Sequence, residues 1–365
     1  MNKLVVGNLV HRPLRSIISV LAVAIEVVMI LSIAAIMMGK LNGFKTRTNG
    51  IGVDLFVRPS NVNNFVGMGA AGASIKVGDV LTKIPHVEVV APVNIQLTNG
   101  LDSIYGIDYK SFNALTPFQF IEGGPFSKQY DIIVDDFVGK GHHAGDMIKV
   151  GNFDHEFRIS GIVEHGKGGR KFIPIDTMGG LTGTDGKATA FYLKTQEAPK
   201  YQDDVRQAIL HTDGMQGYNV QTLDEFMSVM TPEKLPAFST SLYVVTGIAV
   251  VVGFLVIFQS MYTAVMERTR EIGILKSLGA SKSYIVNVVL RESLLLAGVG
   301  IAFGVAVSYA LGFVLQKNFP TLDFVINGPW VLRGVVLAFA GALLGAVYPA
   351  LKAARKDPID ALSYE

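Results

Sequence analysis

Glu267-Arg268-Thr269-Arg270-Glu271-Ile272-Gly273-Ile274-Leu275-Lys276-Ser277-Leu278-Gly279-Ala280 lies between two apolar runs, 242–262 and 293–315. A short charged loop between such runs needs a reason to carry an ordered apolar stripe. Ile272, Leu275 and Leu278 recur at helical spacing among Arg268, Arg270, Glu271 and Lys276, the pattern of an amphipathic helix. Gly279 offers a stop and Ser281 a start for the next helix. The stretch reads as a small helix held against a membrane face, with one side left for a soluble partner to grip.

Two further apolar runs, 17–38 and 331–351, complete a set of four. Each reaches the ~20 residues that cross a hydrocarbon core of ~30 Å. Half of the 365 residues are hydrophobic, 17% are charged and the mean hydropathy is +0.39. That composition excludes an ordinary soluble enzyme. A net charge of +2 gives no footprint for nucleic acid, and the absence of cysteine leaves the redox compartment unread. The first run is unbroken from Ile17 to Met38. It is longer than a signal-peptide core, which favours an uncleaved transmembrane helix.

Basic residues set the orientation. Lys3, Arg12 and Arg15 precede the first run; Arg268, Arg270, Lys276, Lys282 and Arg291 separate the second from the third; Lys352, Arg355 and Lys356 follow the fourth. The short loop between the third and fourth runs holds Lys317. Excess Lys and Arg marks the cytoplasmic side. Both termini are therefore expected inside a cytoplasmic (inner) membrane, with the loop 316–329 outside. The expected fold is a four-helix transmembrane α protein with a large α+β extracytoplasmic domain inserted between helices 1 and 2. Its parts are residues 1–39, the domain 40–238, and 239–365 with the loop helix 267–280.

The third run carries Gly300, Gly304, Ser308 and Gly312 four residues apart, and the fourth repeats the device at Gly341 and Gly345. Small residues let helices approach closely in lipid, where hydrophobic burial supplies no driving force. These positions are expected to pack a bundle or a dimer. Glu26, inside the first run, is an expensive residue there. It is expected to pair with a polar group or to mark a substrate path. Arg291 and Glu292 read as interfacial anchors.

The inserted segment reads as mixed α and β. Strands are expected at 53–57, 87–91, 103–107, 132–134, 147–150, 157–163 and 191–194. Helices are expected at 76–84, 198–210 and 223–230, the last capped by Thr222 with Glu225. Residues 61–74 read as a loop of small and polar residues. A strand cluster between mixed ends suggests two lobes. Chemistry is sparse here. His142, His143, His155, His165 and Asp154 lack the spacing of a metal site. Asp135-Asp136 reads as a charged turn, and Gly166–Gly169 with Lys167, Arg170 and Lys171 lacks the spacing that cradles a nucleotide.

The 267–281 loop resembles the signature of the MacB/FtsX-type permeases of ATP-binding-cassette systems. The stretch Tyr348-Pro349-Ala350 through Asp360-Ala361-Leu362 is similar to that family's closing motif. Asn8-Leu9, Arg12 and Leu14-Arg15-Ser16 also fit, as do Glu122-Gly123, Gly145-Asp146 and Gly161-Ile162-Val163. The resemblance implies a homodimer or heterodimer bound to a separate cytoplasmic ABC ATPase, which carries the ATP and Mg; this chain itself binds no cofactor. It implies that 267–280 is the coupling helix, with Glu267, Arg268, Arg270, Glu271, Ile272, Gly273, Leu275, Lys276, Leu278, Gly279 and Ala280 as its contact residues. It further implies mechanotransmission through stalks near 40–48 and 224–240, which Gly39, Gly43 and Pro236 are expected to interrupt, as hinges or as breaks in the lever. The cargo would be a lipid, lipoprotein, peptide or amphiphilic drug, passed toward a periplasmic adaptor and outer-membrane duct where those exist. The alternative is a signalling subunit that activates a cell-wall hydrolase. A membrane-anchored enzyme is disfavoured, because no catalytic set is visible.

Overall fold

Four runs of apolar sequence become four helices long and apolar enough to cross a membrane. The computed structural model describes residues 13–60, 72–97, 103–151, 153–231, 234–319 and 322–356. The motif residues Asn8, Leu9 and Arg12, the tail beyond Lys356 and residues 61–71 of the expected loop 61–74 lie outside them. The chain divides into two compact units, one of residues 1–40 with 236–365 and one of residues 41–235.

The helical unit contains α1 (Pro13–Asn49), whose later residues enter the second unit. It also contains α7 (Pro236–Glu267), α8 (Thr269–Ser277), α9 (Lys282–Asn318) and α10 (Gly328–Arg355). Each has a local cause. Pro236 opens α7, where a missing N–H costs nothing. Ser281 caps α9 by accepting from Tyr284 N, and Asn327 caps α10 by accepting from Trp330 N. Helix α10 packs against α7 and α9 around a core that includes Val27, Ile257, Met261, Leu296, Ala342 and Ala346.

The expected small-residue groove on α9 is filled by α1 of the same chain. A Cβ at Gly300 would lie 2.8 Å from Val20 O, and one at Gly304 would lie 2.8 Å from Ala24 O. Ser308 is fully buried and donates back to Gly304 O at 2.8 Å. At Gly312 the occupant is the ring of Phe324. On α10 a Cβ at Gly345 would lie 2.8 Å from Phe254 O of α7. Backbones therefore meet directly at Gly300, Gly304 and Gly345.

The inserted unit is built on a ten-stranded sheet. Its strands are β1 (Leu55–Pro59), β3 (Val87–Leu97), β4 (Ser103–Ile107), β5 (Phe120–Gly123) and β6 (Asp131–Asp135). They continue with β7 (Met147–Lys149), β8 (Glu156–Val163), β9 (Lys171–Pro174), β11 (Ala190–Thr195) and β12 (Tyr218–Thr222). The order is β12-β1-β11-β3-β4-β9-β6-β8-β5, with β7 also on β8. The pairs β4–β9 and β6–β8 are parallel and the rest antiparallel. A two-stranded ribbon joins β2 (Ala73–Ser74) to β10 (Lys187–Ala188).

Five helices cover the sheet: α2 (Val77–Leu81), α3 (Tyr109–Leu115), α4 (Ile175–Thr182), α5 (Gln202–His211) and α6 (Leu223–Val229). The two lobes expected from sequence share this one sheet. Each has its own apolar cluster, one around Leu55, Phe191, Leu193 and Ile209 and one around Ile132, Val134, Phe157 and Ile173.

One expectation about the stalks is corrected. Helix α1 runs without interruption through Gly39 and Gly43 to Asn49. The stalk near 224–240 is interrupted ahead of Pro236, as expected: α6 ends at Val229 and α7 begins at Pro236. Strand β3 outruns its expected end at Ala91 and passes through Pro92. Pairing with β4 begins only at Val93, so Pro92 has a ladder on one side alone, where proline is tolerated.

Candidate functional site

The loop between the second and third membrane helices holds the candidate site. A single residue, Arg268, separates the end of α7 from the start of α8. Helix α8 closes with a Schellman turn. Ala280 N donates to Leu275 O at 3.0 Å and Gly279 N donates to Lys276 O at 3.0 Å. Gly279 sits at φ +96°, a left-handed conformation that glycine takes without penalty. The turn hands the chain directly to Ser281, the cap of α9.

Helix α8 has two sides. Arg268, Thr269, Ile272 and Gly273 are buried; Leu275 and Lys276 are half-buried. Ile272 belongs to the bundle core, and Leu275 and Ala280 pack against it. Glu267, Arg270, Glu271, Ile274, Ser277, Leu278 and Gly279 are exposed. The predicted stripe of Ile272, Leu275 and Leu278 thus splits. The first two face the bundle, and Leu278, 80% exposed, lies outward with Ile274. Nine residues of helix turn the third apolar position past the seam, and the apolar face is narrower than the spacing implied. Ile274 was not singled out by sequence; its signal was a second apolar position offset from the stripe.

Two charges expected on the contact surface are turned inward. Arg268 donates from Nη1 to Glu292 Oε2 at 3.0 Å and to Oε1 at 3.3 Å, and both side chains are nearly buried. Glu292 is therefore a buried partner of the loop, not an interfacial anchor. Lys276 Nζ donates to Ala354 O at 3.1 Å and also to Lys356 O. It satisfies carbonyls that the end of α10 leaves open. Arg291 donates to Asn287 Oδ1 one turn back at 3.0 Å.

Glu26 is 2% exposed and lies beside Gly253 of α7 and Gly341 of α10. Its Oε1 finds no hydrogen-bond partner among the described residues, so the expected polar partner is not found there.

In the inserted unit two histidines lie beside single carboxylates. His143 Nδ1 is 3.1 Å from Glu122 and His165 Nδ1 is 3.0 Å from Asp136. Among the described residues no group of three or more His, Asp or Glu is placed to hold a metal. Asp135 is not a charged turn; it is 2% exposed in β6 and pairs with Arg170 at 3.3 Å. Burial pushes its carboxyl up, against the Val138 amide and Arg170. The basic Gly-rich stretch clasps the end of α1. Gly168 N donates to Arg47 O at 2.7 Å and Arg47 Nε donates to Gly168 O at 3.1 Å. Lys167 Nζ donates to Thr116 O at 2.7 Å and to Pro117 O, and burial lowers its pKa to about 8.

This organisation matches two family profiles. Residues 243–358 match the FtsX-like permease C-terminal family, and residues 16–209, more than half of the chain, match the MacB-like periplasmic core domain. The chain is a MacB/FtsX-type ABC transporter permease. It is a multi-pass membrane protein with four spans. Among such permeases it is 25% identical to the uncharacterized ABC transporter permease YknZ of Bacillus subtilis, covering 100% of this chain and 98% of that one. It is 26% identical to the macrolide export ATP-binding/permease protein MacB of Shigella sonnei, over 74% of this chain. That match spans 44% of the MacB length. The crystal structure of the periplasmic region of MacB from Actinobacillus actinomycetemcomitans aligns with a TM-score of 0.39 at 12% identity. The alignment covers 53% of this chain and 97% of that one.

Proposed function

We propose that this permease is driven by a separate cytoplasmic ATPase that grips the outer side of α8. ATP-driven movement is delivered to the inserted domain on the far side of the membrane. The observation that carries this reading is the division of α8 into a face anchored in the bundle and a face of Glu267, Arg270, Glu271, Ile274 and Leu278 left exposed. An amphipathic helix of this kind suits a hydrophobic groove with charged rims. The chemistry of ATP and Mg resides on the partner; this chain supplies the lever.

Arg268, Arg270, Lys276 and Lys282 in and beside α8 support a cytosolic position for this face by the positive-inside rule. Both termini share that side and residues 41–235 lie outside. The cargo class is an amphiphile already outside the cytosol: a lipid, lipoprotein, peptide or drug. A dimer, homomeric or heteromeric, supplies the pair of grips that a pair of ATPase subunits requires.

The test is purification of the full chain from membranes of its host, reconstitution in nanodiscs, and ATPase measurement with candidate amphiphiles. An ABC ATPase in the complex and cargo-stimulated hydrolysis are expected. Recovery without an ATPase would refute the reading. Recovery of a cell-wall hydrolase, without stimulation by any cargo, would move the assignment to signalling.

A further inference from the structure

We infer that the buried Arg268–Glu292 pair is the joint through which movement of α8 is delivered to α9, and is no part of the ATPase contact. The inference rests on α8 being the gripped element. Arg268 is the single residue between α7 and α8, so its position sets the angle at which α8 leaves α7. Its guanidinium engages both oxygens of Glu292, three turns into α9. The pair sits at the wall of a cleft whose other lining is mainly apolar, including Val265, Ile272, Ile285 and Val289.

A pair of this kind is a poor source of stability. Desolvating two charges offsets most of their attraction, and well-packed apolar replacements are often neutral. What the pair does supply is a fixed link. One nitrogen, Nη1, serves both carboxylate oxygens. Parting two nearly buried charges leaves each unpaired, which is strongly unfavourable, so the two ends move together. An apolar contact would slide where this one transmits.

The elements beyond it continue the route. Helix α9 is unbroken from Lys282 to Asn318, ~55 Å at 1.5 Å per residue. At its far end Gln316 donates to Phe324 O at 2.7 Å, and Val325 N donates to Ala35 O of α1 at 3.0 Å. At Gly39 a Cβ would lie 1.9 Å from Asp323 O, so α1 and this loop meet backbone to backbone. Helix α1 then runs on to Arg47, the residue clasped by Gly168. The α7 side offers no such continuity, because helix is interrupted between Val229 and Pro236. These packed elements form a contiguous physical route of the sort that carries coupling.

The test uses the full chain with its co-purified ATPase in nanodiscs. The chain has no native cysteine, so spin labels at Lys110→Cys and Lys317→Cys report one distance with and without ATP and vanadate. In the R268M/E292L variant the ATPase is expected to remain bound. The ATP-dependent change in that distance should fall about two-fold or more. The swapped pair R268E/E292R and the milder E292Q are the controls for folding; the swap should restore the change and E292Q should weaken it. A wild-type distance change in R268M/E292L, or in E292Q should the double variant fail to fold, would overturn the inference. Loss of the ATPase from R268M/E292L would overturn it too, by placing the pair in the docking surface. A wild-type complex without ATPase would sink the underlying reading of α8, and the joint with it.

Discussion

Replacing Gly304 by alanine tests whether α1 and α9 are held together backbone to backbone. The new Cβ would lie 2.8 Å from Ala24 O, 2.9 Å from Val27 Cβ and 3.0 Å from Ala24 Cα. Ordinary contact begins at 3.4 Å, so the helices must separate by about 0.6 Å or α9 must rotate. Overpacking of this kind costs about 1–3 kcal/mol. Against it stands the helix-propensity gain of alanine over glycine, about 0.8–1 kcal/mol. Gly247 on α7 supplies the control, since nothing lies within 4 Å of a Cβ built there. Gly247→Ala gains propensity without the clash. The difference between the two variants therefore isolates the clash, about 2 kcal/mol and about 4–8 °C in Tm for a unit of this size. Thermal unfolding of the full chain in nanodiscs, followed by circular dichroism, is the assay. Gly304→Ala matching or exceeding the stability of Gly247→Ala would refute the close approach.

Gly279→Ala meets no atom, so its cost is that of a left-handed backbone alone, about 1–2 kcal/mol. Looser ATPase co-purification with normal membrane insertion is expected, read from pull-downs and membrane fractionation. The I274D/L278D variant should cut ATPase recovery about ten-fold, the equivalent of ~1.4 kcal/mol, and unchanged recovery would remove these residues from the contact. In the inserted unit, Asp131 is fully buried and accepts from Ser127 N at 2.7 Å, Lys128 N at 2.8 Å and Arg158 Nε at 2.9 Å. Those donors outweigh burial and hold its pKa below the ordinary value of 3.8. Its stabilisation is thus full above that value and is lost as pH falls through the lower folded one. Asp131→Asn should lower stability at neutral pH and flatten the acid limb of a denaturation profile. An unchanged acid limb would count against the network.

The four membrane helices and the amphipathic loop were legible because apolar length and helical spacing are one-dimensional signals. Gly300, Gly304 and Ser308 likewise announced close packing, but a sequence cannot say which helix fills a groove. The filler proved to be α1 of the same chain. The capping box of Thr222 and Glu225 was readable because both partners lie within one turn. What escaped depends on distant partners. Arg268 and Lys276 looked like surface charges, since nothing local betrays that Glu292 and the carbonyls of Ala354 and Lys356 await them. Asp135 looked like a turn because Arg170 lies far along the chain. Strands β5, β9 and β12 were missed because they are short and owe their conformation to ladders with β8, with β4 and β6, and with β1. The interruption at Pro236 was legible because proline suits the first residue of a helix and not its interior.

The side of the membrane on which α8 works decides whether it can be gripped by an ATPase at all. In a chain without cysteine, Leu278→Cys provides a single thiol at the most exposed apolar position of the loop. Spheroplasts carrying this variant can be treated with a membrane-impermeant maleimide before and after permeabilisation. Labelling only after permeabilisation, and reduced when the ATPase is co-expressed, is the predicted result. Labelling of intact spheroplasts would contradict the account.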